Sequence, residues 1–128
     1  SLQGGVDMVM HALENAWGGQ IFIPKIPSYR ITDVAEAIAP DCKQEVVGIR
    51  PGEKIHEEMI TPSDSYHTYD LGKYYTILPA THRWNLVDYI NHFNAEMVEK
   101  GFSYNSGENT EWETIDTLID LIKIHVTN

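Results

Sequence analysis

Hydrophobic positions recur at helical spacing in four stretches and crowd into short apolar runs in three others. Val6, Val9, Met10, Leu13 and Trp17 mark a first helix, and Gly18-Gly19 ends it. Ile21-Phe22-Ile23 reads as a strand closed by Pro24, and Pro27 keeps the next residues in a loop. A second helix follows, with Thr32 as its cap and Asp33 and Glu36 in its first turn. Val34, Ala35, Ile38 and Ala39 form its predicted buried face, and Pro40-Asp41 stops it. Val46 to Ile49 reads as a second strand and runs into Arg50-Pro51-Gly52-Glu53, a turn by composition. Tyr74 to Leu78 is the third strand. Leu86, Ile90, Phe93 and Met97 mark a long amphipathic helix reaching towards Gly101, with polar loop from Tyr104 to Thr110. Thr114 caps a last helix, which turns Ile115, Leu118, Ile119 and Ile122 inward. The alternation predicts a small mixed α/β domain of about three short strands and four helices. So small a sheet calls for neighbouring polypeptide to complete it.

Composition narrows the partners. The 128 residues suffice for one domain with a real core. Lys plus Arg is 9 against 19 Asp plus Glu, a net charge of −10, so nucleic acid and anionic membrane are not expected partners. No stretch reaches the roughly 20 apolar residues of a membrane span. One cysteine, Cys42, forms no internal disulfide and favours the cytoplasm.

Candidate chemistry concentrates between positions 25 and 54, where five of the nine basic residues lie: Lys25, Arg30, Lys43, Arg50 and Lys54. Lys25 and Arg50 each follow a predicted strand, and ligands of open α/β sheets gather outside strand ends. Arg offers a planar fork of donors for a phosphate, and Glu53 an acceptor for sugar hydroxyls. The same turn read alone is a surface feature with a weak ion pair. Tyr69-x-x-x-Lys73 imitates the catalytic pair of short-chain dehydrogenases, but a following strand and the intervening Asp70 and Gly72 argue against the helix that pair needs. His56-Glu57-Glu58 lacks a second histidine at metal-binding spacing, so no metal site is expected.

Four segments together resemble one family. They are Gly19 to Ser28, Ile31 to Ala37, Gly48-Ile49-Arg50-Pro51-Gly52-Glu53-Lys54-Ile55-His56-Glu57-Glu58-Met59, and the ending Phe102 to Ser106 with Asn109 to Trp112. The family is the inverting UDP-N-acetylglucosamine 4,6-dehydratases and their polysaccharide-biosynthesis relatives, extended short-chain dehydrogenase/reductases. The resemblance implies a C-terminal, substrate-binding lobe lacking the Rossmann core, a single domain over 1–128 cut from a longer enzyme. The family oxidises the sugar at C4, eliminates water across C5 and C6 and returns hydride at C6. It implies Arg50 on the diphosphate, Glu53 on the ribose, Lys25 as a further phosphate contact and His56 as a tentative one. No catalytic residue is expected in this chain, and NADP belongs with the full-length enzyme. The implied partners are a UDP-sugar, the N-terminal Rossmann portion and further copies in a homo-oligomer. The alternative is a non-catalytic assembly module using the helix from Leu86, or a stand-alone UDP-binding domain.

Overall fold

A computed structural model of the chain describes residues 1–125. Its elements in order are α1 (Leu2–Asn15), β1 (Ile21–Pro24), α2 (Ile31–Ile38), β2 (Glu58–Ile60), a 3-10 turn (Asp64–His67), β3 (Thr68–Asp70), β4 (Tyr74–Ile77), α3 (Leu86–Phe93), β5 (Glu96–Met97), β6 (Tyr104–Asn105) and α4 (Ile115–His125). The four helices match the expectation. The strands number six among the described residues rather than about three. The extra ones are two or three residues long, too short for a periodicity to register. The chain divides into two compact units, one of Ser1–Lys25 with Met59–Tyr104 and the other of Ile26–Glu58 with Asn105–Asn128.

The first unit is built on an antiparallel sheet ordered β1-β4-β3-β5. Ile21 faces Ile77 and Pro24 faces Tyr74, while Thr68 faces Ile77 across the other edge of β4. β2 and β6 pair separately in a two-stranded ladder. One core cluster holds Tyr69, Leu78, Tyr89 and Ala95, with Trp84, Leu86 and Phe93 packed against it. A second joins Ile23, Ile60 and Tyr104, with Tyr75, Ile77 and Phe102 around them. The predicted long helix ends early, at Phe93. Asn94 takes a left-handed conformation (φ 48°), which asparagine tolerates, and the chain turns into β5.

Helix α1 carries its apolar stripe on the outside. Met8, His11, Ala12 and Asn15 are half-buried, and the His11 ring lies 4.6 Å from that of Tyr74 and 5.3 Å from that of Phe22. Leu2, Val6, Val9 and Leu13 face solvent. Trp17, just past the helix, turns back onto Trp84, Tyr89 and Phe93.

The 3-10 turn is stapled at its start. Asp64 accepts from the Thr61 hydroxyl at 2.6 Å and from the Thr61 amide at 3.0 Å. These bonds, the hydroxyl first, hold the Asp64 carboxyl below its ordinary value of 3.8. The native state therefore releases this proton more readily than the unfolded chain does. The stabilisation is complete above about pH 4 and is lost as pH falls through the depressed value. Asp64→Asn is expected to flatten the acid limb of stability below about pH 4, measured by circular dichroism on urea titrations at stepped pH. An unchanged limb would show the staple to be idle.

In the second unit α2 packs against α4. The α2 cap is Arg30, not Thr32, which lies inside the helix, and no side chain caps this end. Ile38, expected inward, is exposed. At α4 the Thr114 hydroxyl does accept from the Thr117 amide at 3.3 Å, and Leu118 is buried with Ile115, Ile119 and Ile122 half-buried, as predicted. Ser28 joins the loop before α4, donating to the Glu111 carbonyl at 2.9 Å and accepting from the Glu113 amide at 2.8 Å.

Candidate functional site

Val46 to Ile49 is not a strand. Val46 and Val47 are 93% and 89% exposed, and Gly48 bends the path with φ of 87°. Strand propensity expresses a fit to a pleated, half-buried surface, and the described residues offer this segment no ladder to join. The loop nevertheless delivers the turn its composition predicts. Pro51 presets the first corner, and Gly52 takes the second with φ of 85°. The Glu53 amide closes it on the Arg50 carbonyl at 3.1 Å.

This turn sets two side chains face to face. Arg50 donates from Nε to Glu53 Oε1 at 2.7 Å, and Nη2 lies 2.5 Å from the same oxygen. Glu53 Oε2 accepts from the Arg50 amide at 2.8 Å. The Arg50 side-chain bond, then the amide bond, hold the Glu53 carboxyl below its ordinary value. The Arg50 side chain is 85% exposed, so the pair is an accessible charge arrangement and not a stabilising core contact. Guanidinium carries five N–H donors, and this grip occupies one edge of the fork.

Beside the turn lies a cavity of about 900 Å³. Gly52, Glu53 and Lys54 form part of its wall, with Ile31, Val47 and Ile49 supplying apolar lining. A second opening of about 460 Å³ is lined by His56, Glu58, Asn105, Gly107 and Glu108. Ile55 and Glu57 line the first, His56 and Glu58 the second, so alternate residues of one stretch serve different openings. His56 rests on Gly107, where an added Cβ would stand 2.8 Å from the ring. Sequence reasoning missed Asn105, Gly107 and Glu108. Their signal is the Asn-x-Gly turn, in which the Asn105 side chain accepts from the amides of Gly107 and Glu108, both at 2.9 Å.

Lys25 belongs to the first unit and Arg50 to the second, and the Lys25 ammonium is 2.7 Å from both Asp70 oxygens and 4.5 Å from the centre of the Tyr75 ring. The expectation that each cation follows a strand holds for Lys25, after β1, and fails for Arg50, which follows none. The sheet is also antiparallel, so the strand-end rule for open parallel sheets gives no reason for a ligand there. Tyr69 sits buried on β3 and Lys73 in the turn after it, not on one helix face. Among the described residues no group of three or more His, Cys, Asp or Glu side chains is placed to hold a metal ion. Nor is any helix long and apolar enough to cross a membrane.

Comparison with known proteins gives a consistent answer. The chain is 43% identical over 129 aligned residues to a UDP-N-acetylglucosamine 4,6-dehydratase (inverting) of Campylobacter jejuni, covering 95% of this chain and 38% of that protein. It is 36% identical over 81 residues to a UDP-glucose 4-epimerase of Rickettsia akari, 60% of this chain and 24% of the relative. Among solved structures, Pen from Bacillus thuringiensis superposes with a TM-score of 0.73 at 25% identity, over 96% of this chain and 36% of that one. The chain thus spans little more than a third of the relatives it matches along its length. The family model described as polysaccharide biosynthesis protein matches residues 1–79, which carry α1 to β4 and the Arg50 turn. On these grounds the chain belongs to the polysaccharide biosynthesis protein family, as a stretch of a nucleotide-sugar dehydratase-type sequence.

Proposed function

We propose that this chain is the UDP-sugar-binding, C-terminal lobe of a nucleotide-sugar 4,6-dehydratase and has no dehydratase activity alone. The observation that supports this most is the Arg50–Glu53 pair on a tight turn beside a large cavity. A nucleoside diphosphate needs donors for its phosphates and acceptors for its ribose diol, and the turn supplies one of each within hydrogen-bonding distance. Arg50 takes the diphosphate with the edge of its fork turned from Glu53, and Glu53, kept ionised by that contact, takes the ribose hydroxyls. Lys25 enters this reading as a secondary phosphate contact whose charge Asp70 already balances. His56 is a tentative contact at the neighbouring opening.

The chemistry of the relatives' reaction, proton transfer and hydride transfer included, falls to the rest of such an enzyme. In this reading NADP and its hydride chemistry belong to the remaining polypeptide. The setting is cytoplasmic glycan-precursor synthesis.

Isothermal titration with UDP tests the reading. The chain is expected to bind weakly, since it offers part of a pocket. Arg50→Ala is expected to weaken binding about 10- to 100-fold, the value of lost hydrogen bonds to a charged partner. Absence of heat with the unsubstituted chain at millimolar UDP, or equal affinity in Arg50→Ala, defeats the nucleotide role. Turnover of UDP-N-acetylglucosamine by this chain with added NADP defeats the claim of inactivity.

A further inference from the structure

Helix α1 presents its apolar stripe on the side away from its own fold. Leu2, Val6, Val9 and Leu13 follow one another at spacings of four, three and four, the pattern of a helix-packing seam. Their exposures are 89%, 47%, 55% and 75%. The opposite side, with Met8, His11, Ala12 and Asn15, faces β1 and β4 and leaves no α1 residue fully buried. A helix with an apolar seam outside and a histidine and an asparagine inside is built for two neighbours, and the first unit provides one.

Two observations identify the second neighbour. The relatives that match this chain along 95% and 96% of its length carry nearly two-thirds of their own chains outside the matched stretch. The family model begins its match at residue 1, so α1 belongs to the shared fold and is no accidental extension. Charge argues against a second copy. The charged residues of α1, Asp7 and Glu14, lie about 120° round the helix from the seam, so none interrupts it. Two copies packed on this seam bring together chains carrying −10 each.

We infer that the Leu2–Val6–Val9–Leu13 seam of α1 is a docking surface for the remainder of the enzyme fold. This rests on the reading of the chain as one part of a larger enzyme, and not on the nucleotide contacts of Arg50.

A double substitution, Val9→Glu with Leu13→Glu, tests it in two settings. In the isolated chain both sites are exposed, so the thermal midpoint is expected to stay within about 2 °C and light scattering to report a monomer before and after. In the full-length Campylobacter jejuni relative, the same changes at the aligned positions bury two unpaired carboxylates. There the midpoint is expected to fall by at least about 5 °C, or the protein to be lost to aggregation. The milder pair Val9→Ala with Leu13→Ala keeps a folded sample in hand and is expected to give a smaller fall in the same direction. A full-length midpoint unmoved by both pairs overturns the inference. So does an isolated chain that dimerises and is made monomeric by the Glu pair, since the seam then serves a second copy. UDP titration of Arg50→Ala is independent of both arms, so failure of the nucleotide reading is told apart from failure of this one.

Discussion

Tyr89→Ala is expected to cost about 3–5 kcal/mol, the largest loss of any single truncation in the first unit. Tyr89 is fully buried and sits at the centre of an aromatic group. Its ring centre is 4.8 Å from that of Trp84, stacked, 5.4 Å from that of Trp17, edge-on, and 4.6 Å from that of Phe93. Truncation opens a cavity among rigid rings that collapse poorly into it. Tyr89→Phe is the informative companion. Burial raises the hydroxyl's pKa and the facing Thr76 and Gln20 offset part of the rise, yet the oxygen meets no partner at hydrogen-bonding distance and angle. Removing the hydroxyl is then expected to change stability by less than about 1 kcal/mol. Urea unfolding followed by tryptophan fluorescence measures both. A Phe variant destabilised as strongly as the Ala variant would show that the hydroxyl, and not the ring, holds the cluster.

Ile60→Ala is expected to cost about 2–5 kcal/mol, and Ile60→Val about 0.5–1.5 kcal/mol. Ile60 is the last residue of β2 and has no exposed surface. It packs with Ile23 from β1 and Tyr104 from β6, so one side chain ties three strands that are far apart in sequence. The graded pair matters: a Val loss close to the Ala loss would mean that shape, not volume, limits this site. Denaturant midpoints for the two variants, with unchanged slopes, decide it.

The sequence made much of the local structure legible. The glycine pair after α1, the left-handed Gly52 after Pro51, and the Thr114 cap of α4 are each set by residues within four positions of one another. So is the Arg50–Glu53 contact, because a four-residue turn leaves the two side chains little else to meet. The candidate turn was therefore readable before any coordinates. The failures share a different cause. Val46 to Ile49 has the composition of a strand, but a strand exists only as half of a pair, and composition carries no information about the partner. Spacing arguments likewise did not show that Lys25 is paired with Asp70, 45 positions away. Asn94 ended α3 early by adopting a conformation that the hydrophobic pattern beyond it, at Met97, did not anticipate.

The amino-acid sequence by itself determined the four helices, the turn that pairs a guanidinium with a carboxylate, and the family, since each depends on near neighbours or on residue identity alone. Tertiary structure decided which faces are inside. It turned the α1 seam outward, gave Lys25 to Asp70, left Val46 and Val47 without a ladder and opened a cavity next to Glu53. The physical reason is that burial, strand pairing and long-range ion pairs depend on what the chain brings back from far along its length. Periodicity shows that a helix has an apolar side and is silent about what lies against it.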